Sequence, residues 1–144
     1  MFSHIYHIVE PIMHLSIMVM IGIYFIFSNT VMKALRSHPS GAEIMVEINE
    51  MILNPLFLLF FMGSAISAVY LMFSAQEIVI IGAIVFFIGT TAVTVIKNVP
   101  LNNQLRDVTD EQRPEVWKKY LTEWLFWNHI RTISAMISGI LIIL

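Results

Sequence analysis

The sequence predicts an all-α fold, a transmembrane four-helix bundle with the N-terminus and the C-terminus outside. Of its 144 residues, 58% are hydrophobic and 12% are charged, and the mean hydropathy is +0.79. Soluble domains are about half apolar and about a quarter charged. Four apolar stretches approach the ~20 residues that a membrane helix needs: 12–32, 52–73, 78–96 and 124–144. We therefore expect one small integral membrane domain over residues 1–144.

The basic residues predict how the spans are oriented. Seven of the eight Lys and Arg residues follow the first span or lie between the third and fourth: Lys33, Arg36, Lys97, Arg106, Arg113, Lys118 and Lys119. Because basic loops stay in the cytoplasm, loops 33–51 and 97–123 are predicted to be cytoplasmic. We expect a multi-pass protein of a plasma membrane or a bacterial inner membrane.

Two absences exclude classes of chemistry and processing. The chain has no cysteine, so disulfides, thiol nucleophiles and thiolate metal ligands are excluded. Residues 1–11 carry no basic region of the kind that opens a signal peptide, so the first span is expected to remain in the protein. The net charge of −2 gives no indication of nucleic-acid binding.

The connections between spans are predicted in order. The periodicity of residues 42–51 predicts a helix that leads into the second span and places Glu47, Glu50 and Asn54 on one face. Residues 74–77 form a short outer connection, so the second and third spans should be antiparallel neighbours. The second cytoplasmic loop is expected to contain a short helix that begins near Pro114, because proline suits a first helical turn.

Small residues in the second and third spans favour close helix contact, since packing rather than hydrophobicity drives association of helices in membranes. These residues are Gly63, Ser64, Ala65, Ser67, Ala68, Gly82, Ala83, Gly89, Thr90 and Thr91. They could pack inside the bundle or against a partner, so a homo-oligomer or a larger membrane complex stays open.

Polar side chains gather at the predicted cytoplasmic ends of all four spans. They are Ser28, Asn29, Asn49, Asn54, Asn98, Asn102, Asn128, His129 and Arg131. Trp124, Asn128 and Arg131 should lie within about 60° of one another on a helix, whereas His129 is rotated about 140° from Trp124. A charge at membrane depth normally has a partner and marks a functional site. The nearest carboxylates in sequence are Glu47 and Glu50.

A structural interpretation of these residues is also open. The asparagines could cap helix ends, Trp117, Trp124 and Trp127 could form an aromatic belt, and Arg131 could extend to the headgroups. Asparagine on four helices at one depth, together with an arginine, is more typical of a polar pocket.

The N-terminal sequence HIYHIVEPIMH suggests a second site. His4, His7, Glu10 and His14 span about 120° of a continuous helix, and imidazole and carboxylate groups at such spacing can ligate a transition metal or hold haem. Candidate ligands are His7, His14 and Glu10. The alternative is a helix that begins near Pro11, preceded by solvated histidines.

Four sequence segments carry a family resemblance. They are GIYFIFSNTVMKAL from Gly22, MVEINEMILNPLF from Met45, NVPLNNQL from Asn98 and WKKYLTEWLFWNHIRT from Trp117. Together they cover most of the chain after residue 20 and resemble the anthrone oxygenase-like family of small four-helix membrane proteins. Lys33, at a position where proline is common, and the histidine-bearing N-terminus depart from the family pattern.

The resemblance implies a membrane oxidoreductase of monooxygenase type that oxidises an anthrone with O₂. Its motif residues here are Asn49, Asn54, Asn98, Pro100, Asn102, Trp124, Asn128, His129 and Arg131. Arg131 and the asparagines would stabilise an oxyanion, and His129 or Glu47 would accept the proton.

Two functions follow from these observations. The first is an oxygenase-like enzyme whose candidate catalytic residues are Arg131, His129, Asn128, Asn98, Asn102 and Asn49. Its hydrophobic aromatic or quinone-type substrate would bind Asn29, Asn54, Trp124, Trp127 and Glu47, without a cofactor or with haem or a transition metal. The second is a non-enzymatic subunit that binds haem, metal, quinone or lipid.

Overall fold

The computed structural model describes residues 2–73 and 76–144, with side chains from Pro11 onward. These ranges form five helices and contain no strand, which confirms the all-α prediction. We label the helices α1 (residues 2–36), α2 (Gly41–Met51), α3 (Pro55–Leu71), α4 (Glu77–Asp107) and α5 (Arg113–Ile143).

Three helical segments in the described ranges are long and apolar enough to cross a membrane: Pro11–Arg36, Glu77–Asp107 and Arg113–Ile143. α2 and α3 together would make a fourth crossing, although they are bent by 75°. Length and composition of this kind are typical of a membrane protein. The sides of the membrane on which the loops and the termini lie stay predictions.

The bend between α2 and α3 corrects one expectation. Asn54 is extended, and its Oδ1 accepts a hydrogen bond from the Phe57 N–H at 3.0 Å, so it caps α3 while Pro55 begins the helix. The helix that carries Glu47 and Glu50 has already ended at Met51. The prediction that Glu47, Glu50 and Asn54 share one helical face is therefore wrong.

The bundle is a ring in which α1 packs on α3 and α5, and α4 packs on α5 and α3. The second and third spans are neighbours, as predicted. Their small residues are used inside the bundle: a Cβ on Gly63 would lie 2.7 Å from Ser16 Oγ, and a Cβ on Gly89 would collide with Ser134. Any contact with another subunit would therefore need a different surface.

Three helices are longer than predicted. α1 is helical from Phe2 and continues through Pro11, so the expectation of a start near Pro11 is wrong. α4 continues to Asp107, and α5 begins at Arg113 with Pro114 in its first turn. Pro114 therefore opens the long last helix, because its missing N–H costs no hydrogen bond there, and the separate short helix predicted for this loop does not form.

Wide π-helical turns interrupt α1 and α4 where these helices face the middle of α5. They cover Phe27–Val31 in α1, and Phe87–Ala92 and Thr94–Asn98 in α4. Such turns re-aim the side chains that follow them and occur frequently at functional sites. Two of these three turns carry polar residues that the sequence analysis singled out, Ser28, Asn29 and Asn98.

Candidate functional site

A cavity of about 200 Å³ lies between α1, α2, α4 and α5, with Phe57 of α3 also in its wall. Its polar wall residues are Asn49, Glu50, Thr94, Asn98, Asn102, Asn103, Arg106, Asn128 and Arg131. Its aromatic wall residues are Tyr24, Phe27, Phe57 and Trp124. Ligand sites usually measure about 300–1,000 Å³, so the cavity suits a compact ligand. Its aromatic walls suit a flat one.

The guanidinium of Arg131 is fixed by residues of three helices. Its side chain is only 7% exposed. Nη1 donates to Thr94 Oγ1 at 3.1 Å, and Nη2 donates to Asn128 Oδ1 at 2.6 Å. The rings of Tyr24 and Trp124 have their centroids 4.8 and 5.2 Å from Cζ, so the cation also faces two π systems. Arg131 therefore points into the bundle rather than out to the headgroups.

No carboxylate in the part of the chain that the structure describes forms an ion pair with Arg131. The expectation that Glu47 or Glu50 neutralises it is wrong. Glu47 is exposed and lies outside the cavity wall, and Glu50 lines the cavity but is also exposed. Leaving a cation buried without a counter-charge is costly, so dipoles and aromatic faces hold a charge that an anionic ligand would stabilise further.

Asn128 connects Arg131 to α1. Its Nδ2 donates to Ser28 Oγ at 2.7 Å and to the Tyr24 carbonyl at 3.2 Å, while its Oδ1 accepts from Arg131. Thr132 Oγ1 donates to the same Tyr24 carbonyl at 2.9 Å. The Tyr24 carbonyl lies just before the wide turn of α1, and Ser28 lies within it. With both amide hydrogens and its oxygen in use, Asn128 is suited to position Arg131 rather than to contact a substrate.

A second polar cluster lies beside the cavity, on the side of the basic loops. The buried Tyr120 donates from its hydroxyl to Asn102 Oδ1 at 2.8 Å and accepts from Asn49 Nδ2 at 3.4 Å, which joins α5 to α4 and α2. Nδ2 of Asn98 donates to the Trp124 carbonyl at 3.2 Å. The cluster therefore brings Asn49 of α2 together with Asn98 and Asn102 of α4.

Aromatic rings continue this cluster along α5. The centroids of Trp117 and Tyr120 are 5.5 Å apart, and those of Tyr120 and Trp124 are 5.4 Å apart, with both pairs stacked. Trp124 in turn lies under the Arg131 guanidinium. Trp124, the end of this stack, gives the cavity an aromatic wall beside its cation.

Several buried polar atoms of the cavity residues have no partner among the described residues. They include Asn98 Oδ1, Trp124 Nε1 and Arg131 Nε. Each unpaired group costs about 1–3 kcal/mol, and buried groups of this kind call for an explanation. Their gathering around one cavity, together with the unpaired cation, favours a site prepared for a polar ligand.

The structure brings six of the predicted site residues to the cavity and leaves five others outside it. Those in its wall are Asn49, Asn98, Asn102, Trp124, Asn128 and Arg131. His129 and Asn29 lie in a separate groove on the outside of α1 and α5. Trp127 lies under Lys97 Nζ, 4.9 Å from its ring centroid, Asn54 caps α3, and Glu47 is exposed. The roles predicted for these residues stay predictions, but they do not adjoin Arg131.

The predicted histidine site lies partly outside the described residues. The side chains of His7 and Glu10 belong to the part that is not described, whereas His14 is half-buried. Within the described part, no group of three or more His, Cys, Asp or Glu could hold a metal ion. The expectation of metal or haem at this end stays a prediction.

The sequence analysis missed Tyr24, Thr94 and Tyr120. A signal was available in the spacing of four residues, which keeps side chains on one side of a helix. Thr90, Thr94 and Asn98 have this spacing in α4, and Tyr120, Trp124, Asn128 and Thr132 have it in α5. Series that pass from aromatic to polar residues at this spacing would have pointed to the cavity wall.

Comparison with known proteins supports the resemblance. A model of the anthrone oxygenase family matches residues 42–141, which run from α2 almost to the end of α5. Searches of curated proteins and of solved structures gave no match. The match covers more than half of the chain and includes the cavity residues of α2, α4 and α5. The chain therefore belongs to the anthrone oxygenase family.

Proposed function

We propose that this protein is an oxygenase of the membrane that oxidises a flat aromatic ketone of the anthrone type with O₂ in the cavity beside Arg131. Membership of the family supports the reaction class. The observation that carries the proposal is the Arg131 guanidinium, 7% exposed and without a carboxylate partner among the described residues. A fixed cation in a water-poor site stabilises an oxyanion far more than it would in water.

The reaction needs an oxyanion at its first step. Loss of a proton from the central methylene of an anthrone gives an enolate whose middle ring is aromatic and whose negative charge lies largely on oxygen. This electron-rich carbanion adds O₂ to form a peroxide anion at the former methylene carbon, and the protonated base returns its proton to give the hydroperoxide. Removal of the remaining hydrogen there, with cleavage of the O–O bond, gives the second carbonyl and water. Anthrone and O₂ thus become anthraquinone and water, without a further oxidant or reductant.

We assign a different role in this reaction to each of several cavity residues. Arg131 binds the developing oxyanion, Trp124 and Tyr24 hold its guanidinium and offer aromatic faces, and Asn128 keeps it in place. Glu50 is the carboxylate in the cavity wall, and we assign it as the proton acceptor in preference to His129 and Glu47, which lie outside the wall. A general base must come within hydrogen-bond reach of its proton.

The alternative is a non-enzymatic subunit. A subunit with a purely structural role would have Arg131 neutralised by a carboxylate and its interior filled by side chains, and the cavity and the guanidinium without an ion pair count against that role. A subunit that binds a ligand without turnover needs the same cavity as the enzyme, so the reaction itself distinguishes the two. If the purified protein binds anthrones or quinones without consuming O₂, the binding function is correct and the proposed reaction is wrong.

The test is turnover of anthrone by protein purified in detergent, followed by O₂ uptake and by the absorbance of anthraquinone, with empty micelles to measure spontaneous oxidation. We expect Arg131→Met to lower the catalysed rate about 10²–10³-fold, the usual effect of removing an oxyanion donor. Arg113→Met is the matched control, because Arg113 pairs with Asp110 and lies outside the cavity wall. Helicity and elution volume report folding. Undiminished turnover by folded Arg131→Met would overturn the proposal.

A further inference from the structure

The second pocket lies on the outside of the bundle, in a groove between α1 and α5 with a volume of about 480 Å³. It is separate from the Arg131 cavity, and the two share no wall residue among those described. Its α1 side carries Phe25, Asn29, Lys33 and Arg36 at spacings of three or four residues, so they follow one side of the helix. α5 supplies the opposite side.

Polarity changes along the length of the groove. Because α1 runs toward the basic loops and α5 runs away from them, Phe25 and Met136 lie at the deep end, whereas Lys33 and Arg36 lie near the loop. Phe25 and Met136 are 45% and 46% exposed, so an apolar surface stays uncovered there. Asn29 and His129, both exposed, lie between the two ends. A ligand that fits must be anionic at one end and apolar at the other.

The charge of the groove is not balanced by the protein. Lys33 and Arg36 are exposed, and neither forms an ion pair with a carboxylate in residues 11–73 or 76–144. No Asp or Glu occurs among the described residues that line the groove. Nη2 of Arg36 donates to the Leu121 carbonyl at 3.3 Å, which holds its guanidinium against α5 at the groove end. The side chains of Lys33 and Arg36 are therefore available to bind an anionic ligand.

We propose that this groove binds one anionic phospholipid, with its phosphate between Lys33 and Arg36 and an acyl chain along Phe25 and Met136. Basic pockets between membrane helices at the cytoplasmic end bind such headgroups, and basic side chains near the membrane surface attract anionic lipids. His129 and Asn29 donate to the phosphate or to the glycerol oxygens. This site is independent of the oxygenase reaction proposed for the cavity.

The test is native mass spectrometry of the detergent-purified protein titrated with phosphatidylglycerol and, separately, with phosphatidylcholine of the same acyl chains. We expect one phosphatidylglycerol to bind at least about tenfold more tightly than phosphatidylcholine. We expect Lys33→Gln/Arg36→Gln to lose this preference, and Lys33→Gln alone to weaken it. The matched control is Lys118→Gln/Lys119→Gln, which removes the same charge from the same end of the bundle but lies outside the groove.

Three outcomes would overturn the proposal. Equal binding of both lipids by the unchanged protein would remove the charge-selective site. If the preference for phosphatidylglycerol fell equally in Lys33→Gln/Arg36→Gln and in the control, it would come from general attraction between charges and not from the groove. Displacement of the lipid by soluble glycerol phosphate at comparable concentration would make the site one for a free phosphate. Helicity and elution volume equal to those of the unchanged protein show that Lys33→Gln/Arg36→Gln is folded.

Discussion

Two sides of α5, at the same depth in the bundle, carry different chemistry. Asn128 and Arg131 line the inner cavity, where the cation is buried between aromatic rings. His129 faces the outer groove beside the exposed Lys33. A step of one residue rotates a helical side chain by about 100°. Neighbours in the sequence WNHIR therefore belong to two separate sites.

The two sites also differ in how strongly their charges act. The guanidinium of Arg131 is 7% exposed, so its field is little screened by water or salt. Lys33 and Arg36 are exposed, and their attraction for an anion weakens as salt is added. The inner cation is thus suited to stabilise charge that forms during a reaction, and the outer pair is suited to hold a ligand that is already charged.

Among the variants that test the difference between the two sites, Asn128→Asp should lower anthrone turnover most. It would place a carboxylate where the amide oxygen now accepts from Arg131 Nη2 at 2.6 Å, so the inner cation would acquire a counter-charge. We expect anthrone turnover to fall by about 100-fold or more, as when an oxyanion donor is lost. Asn29→Asp is the control, because it adds the same charge to the outer groove and should leave turnover intact. Unchanged turnover in folded Asn128→Asp would contradict the proposal that Arg131 must lack a carboxylate partner to stabilise the oxyanion.

Tyr120→Phe should have an intermediate effect. The variant removes the hydroxyl that joins Asn102 and Asn49 but keeps the ring stacked between Trp117 and Trp124. We expect the free energy of unfolding to fall by about 1–2 kcal/mol, since two partly buried hydrogen bonds are lost. Thermal unfolding in detergent, followed by circular dichroism, measures the change. An unaltered unfolding temperature would show that this cluster does not stabilise the cavity.

His129→Ala should have the smallest effect on turnover. His129 is exposed in the outer groove and absent from the cavity wall, so we expect the anthrone rate to stay within about twofold of the unchanged protein. The rate is measured as for the other variants. Loss of turnover in this variant would indicate that His129 is the base, as the family motif suggested. It would also contradict the conclusion that the outer groove takes no part in the reaction.

The sequence was sufficient to predict the helical class and the inward face of α5. The period of 3.6 residues places Trp124, Asn128 and Arg131 together, and the structure confirms this grouping. The same period predicted that His129 points away from Trp124, which agrees with its position in the outer groove. These results depend on one regular helix, where spacing alone determines direction.

Other features depend on contacts between helices or on irregular backbone. The glutamate partner expected for Arg131 is replaced by Thr94, which carries no charge and lies in a π-helical turn of α4. The spacing of Thr94 from Thr90 and Asn98 indicates a common side of the helix, but not which helix that side contacts. The bend after α2 had a local signal, because a residue before proline avoids helical backbone, and Asn54 precedes Pro55. Tyr24 gave no signal of its own, since an aromatic residue in an apolar helix is ordinarily a packing residue.

The central claim is that Arg131 holds an uncompensated positive charge that stabilises an oxyanion in the cavity. The most direct measurement is an absorbance titration of a hydroxyanthraquinone bound to the protein, because its phenolate absorbs at longer wavelength than the phenol. An opposite charge within about 4–6 Å should make the bound ligand ionise about one pH unit or more lower than it does when bound to Arg131→Met. The same ionisation in both proteins, with the ligand bound to each, would contradict the claim.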